Sequence, residues 1–117
     1  MKRLAMVMTV LILAGVCFGA AFSTGWGKIV TVENTHCQRF TSFSVNSLSI
    51  ANRDSTDRVF ALVNISTNDF NTRLTAATTV PIDPGMTYTF NADSQTAIQS
   101  VVVQSTNGTP EIIIGAF

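Results

Sequence analysis

The sequence predicts an all-β fold: a single antiparallel β-sandwich of seven or eight short strands, preceded by one N-terminal hydrophobic helix. Beyond residue 22, short apolar runs recur between turn signals about every 8 to 12 residues. No stretch of that region keeps an apolar period of 3.6 residues long enough for a helix. Its length suits one small domain with one core. Both a jelly roll and an immunoglobulin-like sandwich fit this pattern.

The first element is an uncharged apolar segment at residues 4–22, which follows Lys2 and Arg3. At about 1.5 Å per residue it spans about 28 Å as a helix, close to the hydrocarbon thickness of a bilayer. We therefore predict that residues 1–22 are a transmembrane helix or uncleaved signal anchor. Lys2 and Arg3 then lie at the cytoplasmic interface, and the β domain lies outside the cytoplasm. The alternative is a secretory signal cleaved after Ala21.

Two further features of the N-terminal region bear on the membrane. Gly15 and Gly19 have the G-x-x-x-G spacing, which places two glycines on one helix face and predicts helix pairing in lipid. Residues 23–27 are predicted to be a juxtamembrane connector in which Trp26 lies at the membrane interface. The β-sandwich domain is then expected at residues 28–117.

Within that domain, alternating or continuous apolar residues predict the strands. The run at residues 58–65 is apolar in both phases, which predicts a central strand covered on both faces. The apolar phase changes near Asn46, which predicts a bulge or a tight turn. Strands are expected at residues 28–33, 40–50, 58–65, 72–76, 78–82, 87–90, 97–105 and 111–117.

Turn residues separate these strands. Asp83, Pro84, Gly85 and Met86 suit a type II turn, with a proline at its second position and a glycine at its third. A hairpin turn is predicted at residues 106–109. The last strand is apolar and ends the chain, so it is the predicted edge strand available to a partner. Its candidate contact residues are Ile112, Ile114 and Phe117.

Charge and motifs limit the chemistry. The charged fraction is 12%, about half the usual value. Beyond residue 22 the chain carries five basic and seven acidic residues without a basic stripe, which argues against binding nucleic acid. The sequence has no phosphate-binding glycine loop, no H-E-x-x-H and no C-x-x-C. His36 is the only histidine, and a lone histidine makes a poor metal site.

These observations predict that the protein is not an enzyme. We expect no catalytic residues, no cofactor-binding residues, no metal ligands and no small-molecule substrate. Cys37 is the only cysteine beyond residue 22, so it is either a buried thiol or a partner in a bridge between chains.

From residue 55 onward, strand and turn residues follow in an order that resembles a known family. The residues that carry the resemblance are Arg58, Asn64, Ser66, Ile82, Pro84, Gly85 and, after a Val-rich strand, Asn107, Gly108 and Thr109. The order resembles small β-sandwich modules of bacteriophage structural proteins and covers about half of the chain. Those modules usually lack a membrane segment. The resemblance together with residues 1–22 therefore implies a protein of a virus with an internal membrane.

The sequence thus predicts a non-enzymatic structural protein, a membrane-anchored β-sandwich of a phage-like virion that links the membrane to the coat or vertex. Its expected partners are other copies of itself or a coat protein, together with the lipid bilayer. The alternative is a secreted binding or adhesion module, cleaved after Ala21, that recognises a glycan or a surface ligand. A surface-filament subunit is a further alternative.

Overall fold

The structure, a computed structural model, describes residues 26–117. These residues form eight strands and one helix. The elements are β1 Trp26–Thr31, β2 Gln38–Phe40, β3 Ser47–Asn52, β4 Val59–Val63, α1 Thr67–Thr75, β5 Val80–Ile82, β6 Thr87–Asn91, β7 Val101–Ser105 and β8 Glu111–Ala116. The first strand begins at Trp26, two residues before the predicted start of the β domain.

The strands form two four-stranded antiparallel sheets, which confirms the predicted all-β sandwich in this part of the chain. The first sheet has the order β1-β8-β3-β6, and the second has the order β2-β7-β4-β5. Most consecutive strands therefore lie in opposite sheets, as in a jelly roll of two Greek keys. An immunoglobulin-like sandwich has a different strand order. Of the two alternatives left open by the sequence, the strand order matches the jelly roll.

A hydrophobic core lies between the two sheets. Alternate residues of each strand point inward, because successive side chains in a strand face opposite sides. Leu48 and Ile50 of β3 meet Val59 of β4 and Val103 of β7 in this core, and all four side chains are fully buried. Each such side chain contributes about 1.5–3 kcal/mol through burial. The packed sandwich therefore provides a rigid support for its two outer surfaces.

The predicted strand at residues 72–76 is wrong, because residues 67–75 form helix α1. Ser66 caps the helix: its side chain accepts a hydrogen bond from the backbone N–H of Asp69. The helix is polar on most faces, and Phe70 is its one buried residue. Because only Phe70 is buried, the helix has no apolar repeat of 3.6 residues, and the sequence therefore did not predict it.

Two predicted turns have different outcomes. The type II turn is confirmed: Gly85 has φ = +77°, and the backbone N–H of Met86 donates to the carbonyl of Asp83 at 3.0 Å. Residues 106–109 do form a turn, with Gly108 at φ = +65°. The predicted hairpin is wrong, because this turn joins β7 of the second sheet to β8 of the first.

The change of apolar phase near Asn46 also has a structural cause. The predicted strand at residues 40–50 is wrong over residues 41–46, which connect the end of β2 at Phe40 in the second sheet to the start of β3 at Ser47 in the first. Ser42 between them has φ = +75°, where the chain leaves one sheet for the other. Val45 is buried from this connection, where it bridges to Ile98, and β3 then buries Leu48 and Ile50, so the apolar phase changes between the connection and the strand.

Several predictions concern residues outside the described range. These are the membrane segment at residues 1–22, the interfacial Lys2 and Arg3, and the helix-pairing Gly15 and Gly19. Among residues 26–117, no helix combines the length and the apolar character that crossing a bilayer requires.

Candidate functional site

The outer side of the first sheet forms a broad surface with little charge, here called the outer face. Strand register places its side chains in rows that run across the four strands. One row contains Ile29, Ile113, Ala51 and Thr87, and the next contains Gly27, Gly115, Ser49 and Thr89. Thr31, Ser47, Asn91 and Phe117 lie at the ends of these strands. Glu111, at one end of β8, is the one charged residue on the four strands that points outward within the described range.

The half of the outer face on β1 and β8 is apolar. Ile29 is 63% exposed and Phe117 is 60% exposed, although both are large hydrophobic side chains. Ile113 lies between them on β8 and is half-buried. A Cβ atom on Gly115 would lie 3.5 Å from the ring of Phe117, so that ring is folded back over the glycine. Together these residues form an exposed apolar patch on the outer face.

The other half of the outer face carries hydroxyl and amide groups. The hydroxyl groups of Ser49 and Thr89 are hydrogen-bonded at 2.8 Å, and the hydroxyl of Ser47 donates to Asn91 Oδ1 at 3.1 Å. These pairs link β3 to β6 across the sheet. The polar side chains are therefore held in place without introducing any formal charge.

The predicted edge strand at the end of the chain is wrong. Strand β8 lies between β1 and β3, and both of its edges are paired within the sheet. Ile112 and Ile114 point into the core and are fully buried, so they are not available to a partner. Phe117 remains exposed, and its predicted partner contact stays a prediction.

The edge strands of the two sheets differ in what they expose. β5 contains Pro81, which removes a backbone donor from that edge. β2 and β1 carry Arg39 and Lys28, and charged residues on edge strands oppose pairing with another chain. β6 contains neither proline nor charge. In the described part of the chain it is thus the edge strand without either of these protective features.

Trp26 packs within the domain. It is half-buried, and its ring centroid lies 5.2 Å from that of Phe43 and 5.9 Å from that of Phe40. The Nζ atom of Lys28 lies 5.1 Å from the centre of the Phe40 ring, within the range of a cation–π contact. The tryptophan thus closes the end of the sandwich at which residues 1–25 join it. Its role at a membrane interface remains a prediction.

The titratable side chains of the described residues do not converge on a reaction centre. Backbone N–H groups of Asp57 and Thr56 donate to the carboxylate of Asp54 and lower its pKa. This carboxylate therefore stabilises a turn. Arg58 Nε lies 2.6 Å from Asp83 Oδ1 in an exposed ion pair. Within residues 26–117, no three His, Cys, Asp or Glu side chains are grouped so that they could hold a metal ion.

Comparisons with known proteins identify no family. No family model matches the chain. No curated protein matches it significantly. Among solved structures it is similar to a subunit of the disulfide-linked pili that form Bacillus endospore appendages, at 10% identity and a TM-score of 0.47, covering 79% of this chain and 83% of that one.

Two other solved structures show a similar degree of likeness. A de novo designed double-stranded β-helix matches at 14% identity and a TM-score of 0.42, covering 79% of this chain and 95% of that one. The xylan-binding module CBM86 from Roseburia intestinalis matches at 15% identity and a TM-score of 0.40, covering 79% and 85%. At these scores the likenesses assign no function to the chain.

Proposed function

We propose that this chain is a non-enzymatic structural protein, anchored in a membrane by residues 1–22, whose jelly-roll domain binds a second copy through the outer face. In a phage-like virion such a protein joins the membrane to the protein coat or vertex. The observation that carries the proposal is the outer face itself. It exposes the apolar side chains of Ile29 and Phe117, and its two central rows carry no charge, as in interface cores.

A second copy of the chain fits this surface because two such faces can meet without bringing like charges together at their centre. Interface cores are depleted in charged residues, and two like charges brought together would cost affinity. The two central rows of the outer face hold no charge, and its one outward-pointing charge, Glu111, lies at one end of β8. Two sheets can pack about 10 Å apart with their strands nearly aligned. Ile29 and Phe117 of each copy would then be removed from water.

The geometry of an anchored protein favours this packing over pairing at the strand edges. When two outer faces meet, a twofold axis along the strands keeps the Trp26 end of both copies on the same side. Antiparallel pairing of β6 with β6 of a second copy reverses one domain and separates the two anchors. Pairing of β6 with β1 of a second copy brings Lys28 into the joint.

The size of the outer face indicates a weak contact. Four strands about 4.8 Å apart, each presenting about 17 Å of length, give a flat area of about 320 Å². Stable interfaces bury about 800 Å² of accessible surface per partner. Anchoring in one membrane raises the effective concentration of the copies and compensates for this weakness. We therefore expect association in membranes and little association of the domain in dilute solution.

Matched charge substitutions test the contact. Ile29 on the outer face and Met86 in the β5–β6 turn are exposed to nearly the same extent, 63% and 59%. In sedimentation equilibrium of the full chain in density-matched detergent, Ile29→Glu is expected to weaken the dimer at least tenfold. Met86→Glu is expected to leave it unchanged. Equal behaviour of the two variants would remove the outer face as the contact surface.

The anchor requires its own test. We expect the intact mass of protein recovered with native membranes or particles to match the chain that includes residues 1–22, with or without Met1. A mass that begins at Phe22 would contradict the membrane-anchored part of the proposal and favour a secreted module. The self-association of the domain would still be decided by the Ile29 and Met86 variants.

A further inference from the structure

The turn between β7 and β8 contains Asn107 followed by Gly108, the only Asn-Gly pair in the sequence. All four residues of the turn, 106–109, are exposed. The turn precedes Glu111, so it lies at the opposite end of the first sheet from Trp26. Water therefore reaches this pair of residues from outside the sandwich.

An asparagine side chain can react with the backbone nitrogen of the residue that follows it. Attack of that nitrogen on the side-chain carbon Cγ closes a five-membered imide ring and releases ammonia. The reaction requires that the attacking N–H is not held in a hydrogen bond. It also requires that the side chain of the following residue does not crowd the approach, and glycine meets this condition because it has no Cβ atom.

The structure meets both conditions at Asn107. Within residues 26–117, the N–H of Gly108 donates to no acceptor and the side-chain amide of Asn107 makes no hydrogen bond. The turn is held instead through the main chain of Asn107. Its N–H donates to Ser105 Oγ at 3.2 Å, and its carbonyl accepts from the same hydroxyl at 2.5 Å. The amide of Asn107 is thus free to rotate towards the nitrogen of Gly108.

The other asparagines of the described range lack this combination. The N–H of the following residue is hydrogen-bonded after Asn46, Asn52, Asn68, Asn71 and Asn91. Asn64 uses both groups of its side-chain amide in hydrogen bonds. Asn34 precedes Thr35, whose β-branched side chain crowds the nitrogen. The fold therefore protects seven asparagines and leaves Asn107 open to the reaction.

We infer that Asn107 is a site of spontaneous deamidation in the folded protein. The nitrogen of Gly108 forms a bond to Asn107 Cγ, the bond from Cγ to Nδ2 breaks, and the proton of the Gly108 N–H leaves with Nδ2 as ammonia. Water then opens the imide. Opening at Cγ gives aspartate, and opening at the backbone carbonyl of Asn107 gives isoaspartate. Water is the one co-reactant, so the reaction is independent of the proposed dimer and of the membrane anchor.

Isoaspartate adds a methylene group to the main chain of a turn that is tightly held. Ser105 is fully buried and binds both backbone groups of Asn107. The carboxylate of Asp57 packs against the other side of the turn, because a Cβ atom on Gly108 would collide with it. A longer main chain cannot keep all of these contacts. We therefore expect the isoaspartate form to unfold at a lower temperature than the unaltered protein.

The test is isotope labelling of the full chain in detergent. The protein is incubated at pH 8 in water enriched in oxygen-18 and then digested in ordinary water, so that only deamidation before digestion introduces the label. Mass spectrometry of the peptides is expected to show label at Asn107 at least tenfold faster than at Asn46 or Asn34. In urea, labelling at Asn46 is expected to rise, because the Ser47 N–H no longer donates to Phe117. Label at Asn107 that appears only in urea, or no faster than at Asn46 in the folded protein, overturns the inference.

Two variants complete the test. Asn107→Gln is the matched control, because a glutamine side chain would have to close a larger ring, and it is expected to show almost no label at this position. Equal labelling of Asn107→Gln and the unaltered protein would overturn the assignment. Asn107→Asp has the charge of the product and an unaltered main chain. Incubated protein rich in isoaspartate is expected to melt below this variant, and equal melting temperatures would contradict the predicted effect on the turn.

Discussion

Replacement of Asn52 by alanine is expected to destabilise the domain more than any other loss of a single amide side chain in its described part. Asn52 is 2% exposed and lies at the end of β3. Its Nδ2 donates to the carbonyls of Asp57 and Ile82 at 2.8 Å and 2.9 Å, and its Oδ1 accepts from the backbone N–H of Asp54 at 3.0 Å. One side chain thus ties the first sheet to β5 of the second and to the loop after β3.

The magnitude follows from what alanine leaves behind. The carbonyl of Ile82 keeps its strand hydrogen bond from Val59 and loses the buried one from Asn52, at a cost of about 0.5–1.5 kcal/mol. The other two bonds are partly buried and contribute about 0.5–1.5 kcal/mol each. We expect a loss of about 3 kcal/mol in the free energy of unfolding. For a domain of this size that loss lowers the unfolding temperature by about 12–24 °C.

The assay is thermal unfolding of the full chain in detergent, followed by the fluorescence of Trp26. Asn91→Ala is the matched control, because Asn91 is exposed and accepts a single side-chain hydrogen bond from Ser47. It is expected to cost less than about 0.5 kcal/mol. If Asn52→Ala lowers the unfolding temperature no more than Asn91→Ala does, the proposed link between the sheets carries no stability and the reasoning is wrong.

Three further predictions concern stability. Gly108→Ala is expected to lower the unfolding temperature in a melt by several degrees, because φ is +65° and a Cβ atom would collide with the carboxylate of Asp57; an unchanged melt contradicts this. The backbone hydrogen bonds to the Asp54 carboxylate lower its pKa in the folded state. They therefore stabilise the fold fully above the pKa of an unfolded aspartate, about 3.9, and this stabilisation is lost as the pH falls through the lower folded pKa. Asp54→Asn should therefore show a smaller fall in the urea midpoint between pH 6 and pH 3, and an identical fall would refute the assignment. Phe70→Ala is expected to cost about 3–5 kcal/mol in urea unfolding, whereas Phe117→Ala at an exposed site should cost less than about 1 kcal/mol; equal costs would show that α1 is not packed through Phe70.

Local chemistry made parts of the fold predictable. The type II turn follows from Pro84, which fixes its own φ, and from Gly85, which accepts a positive φ. The dense apolar run at residues 58–65 predicted an interior strand, which is confirmed because β4 lies between β7 and β5; its outer face is covered only in part, since Phe60 and Leu62 are half-buried. Signals of this kind depend on a few neighbouring residues, so a single sequence contains them.

The position of a strand within a sheet depends on distant residues and was predicted less well. Residues 111–117 were expected at an edge because they end the chain, yet jelly-roll topology places β8 between β1 and β3. The run of Ile112, Ile113 and Ile114 did contain a contrary signal. It is apolar in both phases, which is more typical of an interior strand than of an edge strand.

The candidate sites were hidden for related reasons. The outer face combines odd-numbered residues of β1 and β8, such as Ile29 and Ile113, with hydroxyl residues of β3 and β6. Their proximity follows from strand register, which no local pattern specifies. Helix α1 was also not predicted from the sequence. The available signals for that helix were the cap at Ser66 and the spacing of Phe70 and Leu74, which are four residues apart on one helix face.

Cross-linking at the centre of the outer face tests the central claim most directly. Ser49→Cys is introduced into a full chain that carries Cys17→Ala and Cys37→Ala, and the protein is treated with a short bis-maleimide reagent in lipid vesicles. Thr56→Cys, in an exposed loop, is the control. Packing of two outer faces predicts a covalent dimer from the Ser49 variant and almost none from the Thr56 variant. A Ser49 variant that remains monomeric in vesicles at high protein density would contradict the account.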